Sequence, residues 1–335
     1  MSKISVIGAG SVGATIANDL MIQGVASEIV LVDVNKKKAV GEALDIYQGA
    51  PFCSPAVVRP GEYSDTEGSD IVVITCGVAR KPGMTRLDLA QVNVNILKDV
   101  AGNVTKYAPN AIYVIVSNPV DVLTYVFHKI SGIPENQIIG SGTILDTSRL
   151  QSTLAKRFCI SPKNVHAHVY GEHGDSQFVP WSLAHIANNH VSVYRDSSPD
   201  RERIAEKCEY AEIEEYVRKS GSRVIARKGA TFYAVSMSVC HLCKCILSGV
   251  EKMVQPTDVL YYQKTFTFKR TNHRVLLHFG AVDYKCEVTL NNSFVGEHKG
   301  GYLPFTFDVT TLILDGENDL RLAVKTIKLN ELKGQ

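Results

Sequence analysis

Lys3-Ile4-Ser5-Val6-Ile7-Gly8-Ala9-Gly10-Ser11-Val12-Gly13, followed later by Glu28-Ile29-Val30-Leu31-Val32-Asp33, decides the fold. An apolar run of strand length, Ile4 to Ile7, meets a glycine-rich turn that opens directly into an amphipathic helical stretch, Val12 to Ile22. Gly8, Gly10 and Gly13 have the G-x-G-x-x-G spacing. The first glycine permits a tight turn, the second lets the backbone approach a pyrophosphate, and the third lets helix pack on strand. The helix then turns free backbone N–H groups towards the phosphates. A second strand ends at Asp33, 33 − 13 = 20 residues past Gly13, where a carboxylate accepts hydrogen bonds from a ribose 2′,3′-hydroxyl pair and repels a 2′-phosphate. The stretch reads as a dinucleotide site that favours NAD over NADP. Gly8, Gly10, Ser11, Val12, Gly13 and Asp33 are its candidate contacts.

The same alternation continues outward. Further strand-like runs lie at Ile71 to Cys76 and Ile112 to Ser117, with helical runs at Lys36 to Tyr47, Asp88 to Tyr107 and after Pro119. Buried strands separated by helices predict an α/β, doubly wound parallel sheet of the Rossmann type over residues 1–142. Its ligand crevice opens at the carboxyl ends of the strands. Thr75, Gly77 and Asn118 are further candidate cofactor contacts.

The 335 residues are enough for more than one folding unit. With 45% hydrophobic residues, 21% charged and a net charge of +2, there is no electrostatic case for nucleic acid or an anionic membrane. A small-molecule partner is expected. Met1-Ser2-Lys3 leads straight into the first strand, and no apolar stretch reaches membrane-spanning length, so a cytoplasmic protein is expected. The eight cysteines suit a reducing compartment. Cys240, His241, Cys243 and Cys245 could be read as a zinc site, but they lie in an apolar helical run with no second ligand cluster, so no metal is expected.

Four further segments are polar where a core would be apolar: Arg80-Lys81-Pro82-Gly83-Met84-Thr85-Arg86, Ser117-Asn118-Pro119, Leu145-Asp146-Thr147-Ser148-Arg149 and Gly171-Glu172-His173-Gly174-Asp175. A lone Asp-Arg pair three apart on a helix is usually a surface ion pair. The conjunction is different: in this order, over residues 3 to 249, the segments resemble the L-lactate and L-malate dehydrogenase family. The resemblance implies an NAD-dependent L-2-hydroxy acid dehydrogenase that is a homo-oligomer. His173 would take the hydroxyl proton as hydride leaves, near neutral pH. Asp146 would orient that ring and stabilise the imidazolium. Arg149 would clamp the substrate carboxylate bidentately, and Arg86 would close over the site and polarise the C2 oxygen. Asn118 would bond the same oxygen or the nicotinamide end, and Thr231 matches the family's substrate-contacting threonine. Overall resemblance favours lactate and pyruvate. Arg80, which by the resemblance would meet the group on the reacting carbon, argues instead for the second carboxylate of malate.

After Leu247 that resemblance ends. The substrate domain, 143–250, is expected to be a truncated α+β unit. From Tyr261 to Val324 short runs rich in Val, Phe, Tyr and Thr alternate, with turn signals at Asn291-Asn292 and Asp315-Gly316. Residues 256–326 resemble about half of the sugar-binding jelly-roll domain of glycoside hydrolase family 2, an all-β segment. Carbohydrate contacts would fall at Asp283, Tyr302 and Phe305, although aromatics at alternating spacing usually read as core. The alternative to a working dehydrogenase is a fusion that binds NAD and turns nothing over.

Overall fold

The computed structural model describes residues 2–78, 86–187, 189–197, 209–248, 259–270, 273–279, 285–299 and 305–325. Arg80, Asp283, Tyr302 and the side chain of Arg86 lie outside the described residues. The chain divides by its internal contacts into two units, Met1–Gly249 and Val250–Gln335.

In the first unit β1 (Lys3–Ile7) leads through the glycine turn to α1 (Ser11–Ile22), β2 (Glu28–Val32), α2 (Lys36–Tyr47), β3 (Val57–Gly61) and β4 (Ile71–Ile74). Then come α3 (Arg86–Val104), β5 (Ile112–Ile115), α4 (Val120–Ser131) and β6 (Ile138–Gly140). The six strands form one parallel sheet in the order β3-β2-β1-β4-β5-β6. The order reverses between β1 and β4, and such a switch point opens a crevice at the strand carboxyl ends.

Alternation along each strand sends side chains to opposite faces of the sheet. Ile4 and Val6 of β1, Ile29 and Leu31 of β2 and Ile71 and Val73 of β4 pack under α1 through Ile16, Ala17 and Leu20. On the other face Ile7, Val30, Val32, Val72 and Ile74 meet Leu97, Val100 and Val104 of α3 and Leu123 and Phe127 of α4. These two apolar layers make the sheet a rigid platform for the turns at its edge.

The chain continues into α5 (Ile144–Phe158), the short antiparallel set β7 (Val165–His166), β8 (His185–Ile186) and β9 (Asn189–His190), and then α6 (Val191–Ser197), α7 (Tyr210–Arg218), α8 (Ser220–Lys228) and α9 (Tyr233–Ser248). Leu150, Leu154 and Phe158 of α5 share a separate core with Val165, Ile186, Ile213 and Val217. Helix α9 returns to the Rossmann face beside α1, burying Val239, Cys240 and Cys243 with the strands' side chains. Ser236 Oγ donates to Asp19 Oδ2 at 2.7 Å across that contact. Burial pushes the Cys240 and Cys243 thiols up to about 12. Among the described residues no group of three or more His, Cys, Asp or Glu is placed to hold a metal, and no helix is long and apolar enough to cross a membrane.

The second unit is all antiparallel β. It contains β10 (Val259–Phe268), β11 (Leu276–Phe279), β12 (Lys285–Leu290), β13 (Ser293–Lys299), β14 (Phe305–Asp308) and β15 (Gly316–Lys325). Strands pair in the order β10-β15-β12-β13, with β11 and β14 as a separate pair. Asn291 and Asn292 turn the β12–β13 hairpin with φ of 52° and 64°, the left-handed values a two-residue hairpin loop requires. The Asp315-Gly316 signal lies at the start of β15 rather than in a hairpin between paired neighbours. The Phe305 ring stacks on Phe279 at 4.8 Å between centroids and on His298 at 3.9 Å, so it serves the packing between the strand sets.

Candidate active site

The glycine turn is built as its spacing requires. Gly8 has φ of +110°, and a Cβ there would come within 2.7 Å of Thr75 Oγ1. A Cβ on Gly13 would lie 1.8 Å from the Gly8 carbonyl oxygen, so only glycine lets α1 approach β1 this closely. Thr75 Oγ1 donates to the carbonyls of Ile7 and Gly8, both at 3.1 Å, and ties the turn to β4. Around Gly10, by contrast, nothing lies within 4 Å of where a Cβ would be. No side chain caps α1; the N–H groups of its first turn, which α-helical bonding leaves without partners, border open space.

Asp33 follows β2 and braces this turn. Its Oδ2 accepts the Ala9 N–H at 2.6 Å and its Oδ1 the Asn35 N–H at 2.8 Å. Each carboxylate oxygen keeps a lone pair for a further donor.

A cavity of about 580 Å³ runs from the turn to the second half of the unit. Gly10, Ser11, Val12, Gly13, Thr75 and Gly77 line one end, and Asn118, Asp146, Arg149, His173 and Thr231 line the rest. Gly8 and Asp33 lie outside its lining and act through the turn they shape. Eleven of the residues singled out from the sequence thus share one cavity.

Its polar centre is a three-residue cluster. Asp146, in the first turn of α5, is 1% exposed. His173 Nδ1 lies 2.5 Å from Asp146 Oδ2, and Arg149 Nη1 donates to Asp146 Oδ1 at 2.7 Å. A buried carboxylate needs such partners, because removing either leaves an uncompensated charge. With Nδ1 committed to Asp146, Nε2 is the imidazole nitrogen left to face a ligand, and the other guanidinium N–H groups of Arg149 are left to grip an anion. The segment between α5 and His173 is stitched down as well: Thr143 Oγ1 donates to the Val169 carbonyl at 2.7 Å, and the Val169 N–H donates to Thr147 Oγ1 at 2.9 Å.

Two residues that brace the cavity walls escaped the sequence reading. Asn93 of α3 is 3% exposed. Its Oδ1 accepts the Val78 N–H at 2.8 Å, and its Nδ2 donates to the Asn118 carbonyl at 2.7 Å. It therefore clips together the ends of β4 and β5 from which the Arg80 segment and Asn118 depart. Asp121, in the first turn of α4, accepts the His173 backbone N–H at 2.8 Å. The signal for Asn93 was its place four residues before Leu97 on the buried stripe of α3, where a polar residue needs partners.

A cavity with an uncapped helix N-terminus and glycine backbone at one end, and a buried Asp–His pair beside an arginine at the other, suits a phosphate-bearing cofactor and a small anion that exchanges a proton. NAD fits the first end, because the space that any side chain on Gly10 would fill is open there.

Residues 2–140 match the lactate/malate dehydrogenase NAD binding domain, and residues 143–286 match the lactate/malate dehydrogenase alpha/beta C-terminal domain. Residues 248–333 match the glycosyl hydrolases family 2 sugar binding domain. The two latter matches overlap over 248–286, a stretch whose described strands pair within the second unit. An L-lactate dehydrogenase of Clostridium botulinum is 51% identical over 264 residues, which cover 77% of this chain and 80% of the relative. Among solved structures, the minor L-lactate dehydrogenase of Enterococcus mundtii superposes with a TM-score of 0.69 at 37% identity, covering 73% of this chain and 77% of that one. The malate dehydrogenase of Picrophilus torridus gives 0.66 at 35% identity, covering 74% and 76%.

Proposed function

Because the chain belongs to the lactate/malate dehydrogenase family, we propose that it is an NAD-dependent L-2-hydroxy acid dehydrogenase that interconverts lactate and pyruvate. NAD, when bound, supplies the acceptor for the hydride that leaves C2 of the hydroxy acid. His173 accepts the proton of the C2 hydroxyl at Nε2, and the buried Asp146 carboxylate stabilises the imidazolium while fixing the ring. Arg149 holds the substrate carboxylate. Asn118 and Arg86 act on the C2 oxygen, Thr231 contacts the substrate, and Arg86 helps to exclude water. Asp33 sets the preference for NAD by repelling a 2′-phosphate. We assign the protein to the cytoplasm as a homo-oligomer on the same family membership.

The observation that carries the reading is the Asp146–His173 contact on the cavity that also holds the glycine turn. A second reading rests on the residue type at position 80: an arginine there, if it meets the substituent of C2 as the family resemblance implies, favours a dicarboxylate, malate and oxaloacetate. The two are separated by measuring NADH oxidation with pyruvate and with oxaloacetate in parallel, on the wild type and on Arg80→Gln. Faster turnover of pyruvate, little changed by Arg80→Gln, fits lactate. Faster turnover of oxaloacetate that Arg80→Gln lowers roughly 10- to 100-fold, the worth of one charge-assisted bidentate contact, fits malate. Retained NADH binding with no turnover of either acid overturns both, and leaves a chain that binds NAD only.

A further inference from the structure

Asp121 stands two residues after the Asn118-Pro119 peptide, in the first turn of α4. An acid at that place already has a local use as counter-charge to the positive helix end. Its Oδ2 also accepts the backbone N–H of His173 at 2.8 Å, a bond between residues 52 apart in sequence. That bond reaches the one residue of the site whose position matters most for proton transfer.

His173 lies within the loop 171–177, closed at its base by N–H to carbonyl bonds exchanged between Tyr170 and Phe178 at 2.9 and 3.0 Å. Inside the loop Gly171 and Gly174 have φ of +90° and +158°, conformations that the unfolded chain leaves readily, so the loop needs external anchors to hold one shape. His173 has two of them. Asp146 holds the ring at Nδ1, and Asp121 holds the backbone. A ring fixed at one nitrogen alone still pivots about that contact; fixing the backbone as well determines where Nε2 points. We infer that Asp121 is a positioning residue for proton transfer, acting through the His173 backbone. The inference rests on His173 being the proton carrier.

The test uses the full chain with Asp121→Asn and Asp121→Ser. Asparagine loses the charge at the helix end but keeps an oxygen that reaches the His173 amide. Serine removes the same charge from the helix end but its shorter side chain falls short of the amide, so the two variants share the helix effect and differ in the amide contact. The kcat of NADH oxidation, with whichever of pyruvate and oxaloacetate is turned over, is expected to fall roughly 10- to 100-fold in Asp121→Ser, as sub-ångström to ångström misplacement of a reacting group does. It returns to within about threefold of wild type in Asp121→Asn, and NADH affinity stays within about twofold in both. A purely helix-stabilising role moves the melting temperature and leaves kcat per folded molecule unchanged, and a role for the charge lowers kcat equally in both variants; either result overturns the inference. Amide exchange in the 171–177 peptide of the cofactor-free protein is expected to rise about tenfold in Asp121→Ser and not in Asp121→Asn. This second readout needs no turnover. A wild type that binds NADH but reduces neither acid removes the dehydrogenase reading, while unchanged exchange in Asp121→Ser removes the anchor itself.

Discussion

Replacing Gly13 by alanine, and Gly10 by alanine beside it, separates the two tasks assigned to the glycine turn. At Gly13 the new methyl would lie 1.8 Å from the Gly8 carbonyl oxygen and 2.7 Å from Thr75 Oγ1, against about 3.4 Å for ordinary contact. The carbonyl belongs to the backbone and cannot swing aside, so α1 must move from β1 by roughly 1.6 Å, the difference between those distances. Overpacking of this kind costs about 1–3 kcal/mol, and more where backbone moves. In a unit of this size each kcal/mol lowers the melting temperature by about 2–4 °C, so a fall of about 2–12 °C is expected.

Gly10 has φ of −73°, ordinary for alanine, and its Cβ would meet nothing within 4 Å. Gly10→Ala should therefore melt with the wild type, yet fill space at the cavity wall and weaken NADH binding by about 10- to 100-fold, the effect of 1.4–2.8 kcal/mol. The assay is a thermal melt followed by Trp181, the chain's one tryptophan and a member of the first unit, together with an NADH fluorescence titration. Gly13→Ala melting with the wild type would refute the packing argument. Gly10→Ala binding NADH as tightly as the wild type would refute the pyrophosphate approach.

Other consequences follow from the same geometry. Asp33→Asn keeps one acceptor for the Ala9 or Asn35 N–H but removes the charge that opposes a 2′-phosphate, so the ratio of NADPH to NADH turnover should rise about tenfold or more; an unchanged ratio contradicts the role given to that carboxylate. Cys76 lies beside the cavity end of β4, and burial pushes its thiol up to about 12. Because burial raises this pKa, the reactive thiolate is scarcer at about pH 8 in the folded protein than in the unfolded chain. Iodoacetamide followed by peptide mass analysis should leave Cys76 unmodified in the native protein and label it in denaturant, and rapid native labelling would show that the β4 end is open. Asp308, exposed in the second unit, is held down to about 2 by hydrogen bonds from Thr310 and Arg274. A folded-state value below the unfolded one gives stability that is present above about pH 4 and lost as pH falls towards 2. Acid unfolding of the β-sheet signal should therefore depend on pH between about pH 4 and pH 2 in the wild type, and Asp308→Asn should flatten that dependence.

Much of the fold was legible because its signals are local. The apolar runs at Ile4 to Ile7, Glu28 to Asp33, Ile71 to Cys76 and Ile112 to Ser117 match β1, β2, β4 and β5 to within one or two residues at each end. The strands that went unread have physical reasons for silence. Val57–Gly61 contains Arg59 and Pro60 and pairs on one side only, as an edge strand. Ile138–Gly140 is three residues long, too short for alternation to register. The return of α9 to the face of α1 is also invisible locally, because the sequence around Cys240 and Cys243 reads as an apolar helix whatever it covers.

The candidate site divides in the same way. Gly8, Gly10 and Gly13 are fixed by spacing, and His173, Asp146 and Arg149 by short motifs that fold onto one cavity. Asn93 and Asp121 belong to no motif. Their contacts join residues that only the folded sheet edge brings together, so a helical asparagine and a first-turn aspartate looked like ordinary helix residues.

The most direct test of the central claim is the rate of NADH oxidation by the purified full chain compared with His173→Gln, using the faster of pyruvate and oxaloacetate. Measurable turnover in the wild type is expected, falling about 10²- to 10⁴-fold in His173→Gln, the usual worth of a positioned acid–base group, with NADH affinity unchanged within about twofold. Equal rates in the two proteins, or no turnover in a wild type that binds NADH, would contradict it.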